Sequence, residues 1–193
     1  MSKVSVPVTN DYCPQTLFLY GTYREDGSPN FGLFCWFSYC VIENRLGVMA
    51  CIGESKLTRD LILKNRVFSA NLVTEDILPL ADYFGCTQSY TTPDKMNIPF
   101  EWEKGQALNV PVLCQSPVCY ELEVAHELVQ GDAVVLLCNI RNVLHDEALE
   151  NPMQSLEQKL ARIVPVCTTQ TAYLNWQGNT LAKWGDLAGQ IKK

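Results

Sequence analysis

The chain has 193 residues, 47% of them hydrophobic and 19% charged, which excludes a disordered or fibrous protein. The net charge of −6 disfavours general attraction to nucleic acid or an anionic membrane, although a local basic cluster can still hold one phosphate. The longest apolar stretches, 33–42 and 133–138, fall short of the roughly 20 residues that a membrane helix needs. The start, Met1-Ser2-Lys3-Val4-Ser5-Val6-Pro7, has no apolar core of a secretory signal, so the expected compartment is the cytoplasm.

Residues 15–24 are rich in aromatic and β-branched side chains, Glu25-Asp26-Gly27-Ser28 is a turn signal, and 30–41 is a second strand-like run. Together they predict a hairpin. The second run is apolar on both faces, with Phe31, Leu33, Cys35, Phe37 and Tyr39 alternating with Phe34 and Trp36. Such a strand is expected to be covered twice, by core on one side and by a ligand or a second subunit on the other. Residues 45–52 predict a third strand. In 55–65, Leu57, Leu61 and Ile62 share a helical face with Thr58 as N-cap. A short strand over 67–73 is followed by a helix over 74–84, with Glu75 and Asp76 in its first turn, Pro79 as a kink or restart, and Gly85 at its end.

Residues 86–112 show no period and carry Pro93, Pro99 and Pro111 beside Tyr90, Phe100 and Trp102; a binding loop or lid is expected. The alternating runs 118–129 and 133–144 pair through Gly131-Asp132 as a long hairpin, 152–162 predicts a helix, and the tail from 169 carries Tyr173, Trp176 and Trp184. Many short strands with few helices point to a mainly β architecture, an antiparallel barrel with helices at one end or edge. The expected organisation is a single domain over 1–193, with 148–193 an extension packing on the barrel or on a dimer partner.

Nine cysteines, an odd number with no Cys-x-x-Cys, are expected to be reduced thiols rather than cross-links or metal ligands. His126 and His145 have no third group at ligand spacing, and no Gly-x-Ser-x-Gly or His-Glu-x-x-His occurs, so no catalytic or metal residue is assigned. The densest polar constellation is Glu54-Ser55-Lys56-Leu57-Thr58-Arg59-Asp60. Two cations and two hydroxyls at a helix start suit a phosphate. The same residues also suit an ordinary solvated helix start.

The order of several motifs resembles the flavin reductase-like, FMN-binding split-barrel family, the flavoredoxin group in particular. The matching elements are Asp26-Gly27-Ser28-Pro29-Asn30, Cys35-Trp36-Phe37-Ser38, Lys56-Leu57-Thr58-Arg59-Asp60-Leu61-Ile62, Phe68-Ser69-Ala70-Asn71-Leu72, Ser89 with Asp94-Lys95, and Gly131-Asp132. The resemblance spans roughly residues 12–147. It implies a Greek-key split barrel with flanking short helices, noncovalent FMN, and a homodimer with flavin near the subunit interface. Carried over by position, it implies cofactor contacts from Trp36, Ser38, Ser55, Lys56, Thr58, Arg59, Asn71, Ser89 and Lys95. Two departures stand out. The family's Pro-Pro after the Trp-x-Ser motif is Val41-Ile42-Glu43-Asn44 here, and its Ser-Gly is Ser89-Tyr90. Two functions follow from the resemblance: an oxidoreductase passing electrons from NAD(P)H through FMN, or a flavoredoxin-type carrier between protein partners.

Overall fold

The structure is a computed structural model that describes residues 1–191. In chain order the first strands are β1 (Gln15–Thr16), β2 (Phe18–Tyr23), β3 (Pro29–Phe34), β4 (Phe37–Ile42) and β5 (Arg45–Ile52). Helix α1 (Leu57–Asn65), strand β6 (Val67–Leu72) and helix α2 (Leu78–Cys86) follow. Then come β7 (Trp102–Lys104), β8 (Pro111–Leu113) and the long pair β9 (Val118–Gln130) and β10 (Ala133–His145). Helix α3 (Leu156–Ile163) precedes β11 (Cys167–Thr169), β12 (Ala172–Leu174) and β13 (Thr180–Lys183). Among the described residues no helix is long and apolar enough to cross a membrane.

The main sheet has seven antiparallel strands in the order β3-β2-β6-β9-β10-β5-β4. Its two edges, β3 and β4, are consecutive in the chain and are separated only by Cys35 and Trp36. The run 30–41 is therefore not one strand. It turns a corner at Cys35–Trp36 and leaves one edge of the sheet for the other. The Trp36 carbonyl accepts the Cys51 N–H at 2.9 Å as the new edge begins. The sheet consequently curls into a barrel that is split between β3 and β4. Phe18 of β2 stacks on Phe37 of β4 with ring centroids 4.1 Å apart, although β2 is second from one edge of the sheet order and β4 is the other edge.

Period-two alternation sorts the side chains into two cores. Phe18, Tyr20, Phe34, Ala50, Phe68 and Leu136 fill the barrel. Leu19, Phe31, Leu78, Phe84, Leu113 and Tyr173 fill the layer between the barrel wall, α2 and the chain's end. The two-sided apolar character of β3 is thus answered by α2. In β4 it is not answered within the chain, because Tyr39 and Val41 stand exposed.

Four helix expectations shift. The N-cap of α1 is Lys56, not Thr58. The second helix begins at Leu78, after Glu75 and Asp76; Pro79 falls in its first turn, where a missing N–H costs nothing, so no kink follows. Gly85 lies inside that helix rather than after it. The third helix starts late, at Leu156, behind a Ser155–Gln158 capping box. The tail forms a second sheet, β1-β11-β12-β13, and its 3-10 turn Ala188–Gln190 packs against α2.

One buried carboxylate braces the irregular segment. Glu121 of β9 has no exposed surface and accepts the N–H groups of Gln106, Ala107 and Leu108 and the Asn142 amide, at 2.6–3.2 Å. Glu121→Gln turns an amide NH2 toward those donors. Thermal or urea unfolding should show a loss of about 2–3 kcal/mol, since hydrogen bonds to a charged group carry most of the stabilisation. An unchanged midpoint would show that the nest is not needed.

Candidate functional site

Helix α1 starts from an extended Lys56 (φ −134°, ψ 135°), and no side chain caps it. The first N–H groups of such a helix have no intrahelical partner and sit at the positive end of its dipole. Thr58, 4% exposed, accepts a hydrogen bond from Asn30 Nδ2 at 2.8 Å, and Asn30 Oδ1 accepts one from Ser89 Oγ at 3.0 Å. Asn30 is fully buried and ties the start of α1 to the loop after α2. The backbone is close here: a Cβ on Gly32 would lie 2.7 Å from Thr58 Oγ1.

Between these elements lies a cavity of about 40 Å³, lined by Ser55, Lys56, Thr58, Ser89, Tyr90 and Lys95. Lys95 is 3% exposed; its Nζ donates to the Phe84 carbonyl at 2.8 Å and lies 5.6 Å from the Phe84 ring centroid. Burial pushes its ammonium down to about 7, and the charges of Arg24 and Lys56 push the same way. An anion in the cavity would reverse both pressures. Tyr90 hydrogen-bonds through its hydroxyl to Asp60 and forms part of the wall.

A second, larger cavity of about 310 Å³ adjoins the first and shares Leu33, Phe34, Lys56 and Gly85 with it. Its remaining walls include Cys35, Trp36, Cys51, Cys86, Tyr173 and Trp184. A Cβ on Gly85 would sit 2.9 Å from Leu33 Cδ2, so a larger residue there would make the Leu33 side chain shift. Burial raises the thiols of Cys35, Cys51 and Cys86, with Asp82 adding to the shift at Cys86. These thiols stay protonated at neutral pH and are poor nucleophiles. They act as soft apolar wall.

The groove therefore has a cationic, donor-rich end and an apolar, aromatic end. Of the expected contact residues, Trp36, Ser55, Lys56, Thr58, Ser89 and Lys95 line it. Three others do not. Ser38 lies exposed on β4 opposite Met49. Arg59 is turned toward the β9–β10 turn, donating to Asp60 Oδ1 at 2.8 Å, the Glu54 carbonyl at 2.9 Å and the Asp132 carbonyl at 2.7 Å. Asn71 is fully buried; its NH2 donates to the Leu19 carbonyl and to Ser69 Oγ, and its oxygen accepts the Leu113 N–H at 2.8 Å. It joins β2, β6 and β8. Asn30 was not among the expected contacts, although it ends a quoted motif, because its partners Thr58 and Ser89 lie far away in sequence. It also passed over Cys51, Gly85 and Trp184, which no local pattern links to the site.

All nine cysteines are free thiols in this structure, and no group of three metal-ligating side chains converges among the described residues. Thiol titration of the denatured, unreduced protein should find nine reactive groups; seven or fewer would reveal a cross-link.

A family model described as the flavin reductase like domain matches residues 11–171. No curated protein matches the chain. The fold is similar to that of flavoredoxin from Desulfovibrio vulgaris (Miyazaki F), with TM-score 0.78 and 20% identity, over 96% of this chain and 98% of that one. Flavoredoxin from Methanosarcina acetivorans gives 0.75 and 18%, over 96% and 94% of the two chains. An FMN-binding protein from Thermus thermophilus, solved with bound p-hydroxybenzaldehyde, gives 0.71 and 22%, over 94% and 97%.

Proposed function

Because the chain belongs to the flavin reductase-like family, we propose that it binds FMN and passes electrons from NAD(P)H through it as an oxidoreductase. The supporting observation is the two-part groove, which joins an uncapped helix start with lysines and hydroxyls to an apolar aromatic chamber. Its ends match the two chemistries of FMN, a phosphate dianion and a flat ring. Bound FMN supplies the hydride and electron chemistry.

The chain supplies the rest. Ser55, Lys56, Thr58 and the first N–H groups of α1 hold the phosphate, and the Lys95 ammonium balances its charge, while the Ser89 hydroxyl proton stays on Asn30. Asn30 fixes the hydroxyls of Thr58 and Ser89. Trp36, Leu33 and the cysteine side chains keep water from the ring. No acid or base from the protein is required by hydride transfer at a flavin. The chamber stays open between Trp36 and Trp184, which are 51% and 47% exposed. That opening favours a small-molecule electron donor over a purely protein-fed carrier. Anaerobic NADH or NADPH should bleach the visible absorbance of the FMN-loaded protein. Bleaching only by a reduced protein partner would establish the carrier function instead.

The same reading makes the protein a homodimer. Tyr39, Val41 and Leu46 of the β4–β5 edge are exposed together on one face, a patch that water disfavours. Sedimentation should give twice the chain mass of 21.7 kDa at micromolar concentration. A monomer there would leave the patch to another partner. Reduced thiols and a nicotinamide donor fit a cytoplasmic protein.

A further inference from the structure

We propose that Trp184 is a specificity-determining residue of the apolar chamber, selecting flat ring-shaped molecules as partners of the cofactor, and that buried Asp82 is its positioning residue. The proposal rests on the FMN reading above and concerns the far wall of the same groove.

Trp184 follows β13 and, unlike Trp176, lines the chamber, where it and Trp36 are both wall residues. Its indole N–H donates to Thr168 Oγ1 at 2.9 Å, and its ring lies 6.5 Å from that of Tyr173, which also lines the chamber. The polar edge of the indole is thus spoken for. The rest of the ring is left half exposed at the mouth, with no polar demand of its own. Two tryptophans at the mouth of an apolar chamber form a stacking platform for a planar molecule, since offset ring contacts add to plain burial.

After β13, residues 184–187 form a turn that the Asp186 N–H closes on the Lys183 carbonyl and the Lys183 N–H closes on Asp186 Oδ2, before the 3-10 turn. Asp82 of α2 ties that turn to the rest of the fold. Its residue has no exposed surface, and its two oxygens take four donors from the tail. Oδ1 accepts Tyr173 Oη at 2.6 Å and the Gly185 N–H at 2.8 Å. Oδ2 accepts the N–H groups of Leu187 and Ala188, each at 2.9 Å. The residue directly after Trp184 is therefore pinned, and so is the ring beside it. Gly185 has φ +89°, a conformation that glycine adopts freely and that lets the chain turn back onto α2 directly after the tryptophan. Burial by itself would raise the Asp82 carboxyl, but Tyr173 and the three backbone donors outweigh it and hold the group below its ordinary range. It is a fixed anion, four bonds deep, at the root of the wall.

The test uses the FMN-loaded full chain, with 4-chlorophenol as a flat electron-rich probe and cyclohexanol as a non-planar control. The readouts are FMN affinity, measured first, and the visible difference spectrum on adding the probe. Wild type should bind 4-chlorophenol with a long-wavelength absorbance change and ignore cyclohexanol. Trp184→Ala should weaken the phenol roughly 10-fold and by more than it weakens FMN, while Trp184→Phe restores most of the binding. Asp82→Asn should weaken the phenol to a similar extent, and the double variant should lose no more than either alone, because both changes remove one platform. Additive losses, or a loss of FMN affinity in Asp82→Asn equal to its loss of phenol, would reduce Asp82 to general structural support. Failure of the wild type to bind FMN overturns the cofactor reading and this proposal together. Normal FMN binding with no phenol spectrum, or with equal phenol affinity in Trp184→Ala, overturns this proposal alone.

Discussion

Lys56→Ala and Thr58→Ala should each weaken FMN binding roughly 10- to 100-fold while riboflavin binding changes little. A hydrogen bond to a charged group is worth about 1.5–3 kcal/mol, and about 1.4 kcal/mol is one decade of affinity. Both residues line the cationic end of the groove, where α1 opens without a side-chain cap. Removing either one deprives the phosphate, and riboflavin has no phosphate to lose; Thr58 lines only the cationic end, while the Lys56 stem also borders the chamber. Trp36→Ala is the converse, since that ring lines the apolar chamber and should count equally for FMN and riboflavin. Isothermal titration with both ligands separates the two patterns. Unaltered FMN affinity in Lys56→Ala and Thr58→Ala would return the cluster to an ordinary helix start. Arg59→Ala is the internal control. Its guanidinium is spent on Asp60 and two carbonyls, so it should affect FMN less than either neighbour.

FMN affinity should also fall as pH rises from 7 to 9, by roughly tenfold per pH unit, and Lys95→Met should flatten that slope. Burial, aided by Arg24 and Lys56, lowers the Lys95 ammonium to about 7 in the empty protein. Above that pH the free protein carries a neutral amine. A phosphate dianion in the adjacent cavity favours the ammonium and returns its pKa toward the ordinary value near 10.4. Binding above pH 7 then takes up one proton, and each further pH unit makes that proton about tenfold scarcer. The phosphate cannot produce this slope, because its own second ionisation lies near pH 6 and is complete by then. It should instead weaken binding on the acid side, giving an optimum close to neutrality. Riboflavin should show neither limb. A flat FMN profile in the wild type would place the Lys95 amine out of reach of the phosphate.

Much of the fold was legible because short-range rules govern it. The β2–β3 and β9–β10 hairpins follow from Asp26-Gly27-Ser28 and Gly131-Asp132 between alternating runs, and the pairs Tyr23 with Pro29 and Ala133 with Gln130 close them. The lysines and hydroxyls ahead of α1 were visible as a cluster because they are consecutive in the chain. The break at Cys35–Trp36 was not visible. Alternation is preserved through the corner, so one apolar run serves two strands at opposite edges of a closed sheet. Thr58 looked like a cap from its position alone; the fully buried Asn30 claims its hydroxyl instead, 28 residues away in sequence.

Asn71 and Arg59 show the limit of carrying residues over by position. Each sits in the expected motif, and each has its polar atoms taken by long-range partners that only packing supplies. The apolar half of the groove was the least legible of all. Leu17, Cys35, Cys51, Cys86 and Trp184 come from separate parts of the chain and read individually as ordinary core or tail. Sequence determined the local elements and the cationic, hydroxyl-rich start of α1, because hydrogen-bonding turns and helix starts are set by neighbours. Only the tertiary structure decided what that end faces, because burial and the meeting of distant side chains depend on how the barrel closes and where Asp82 draws the tail.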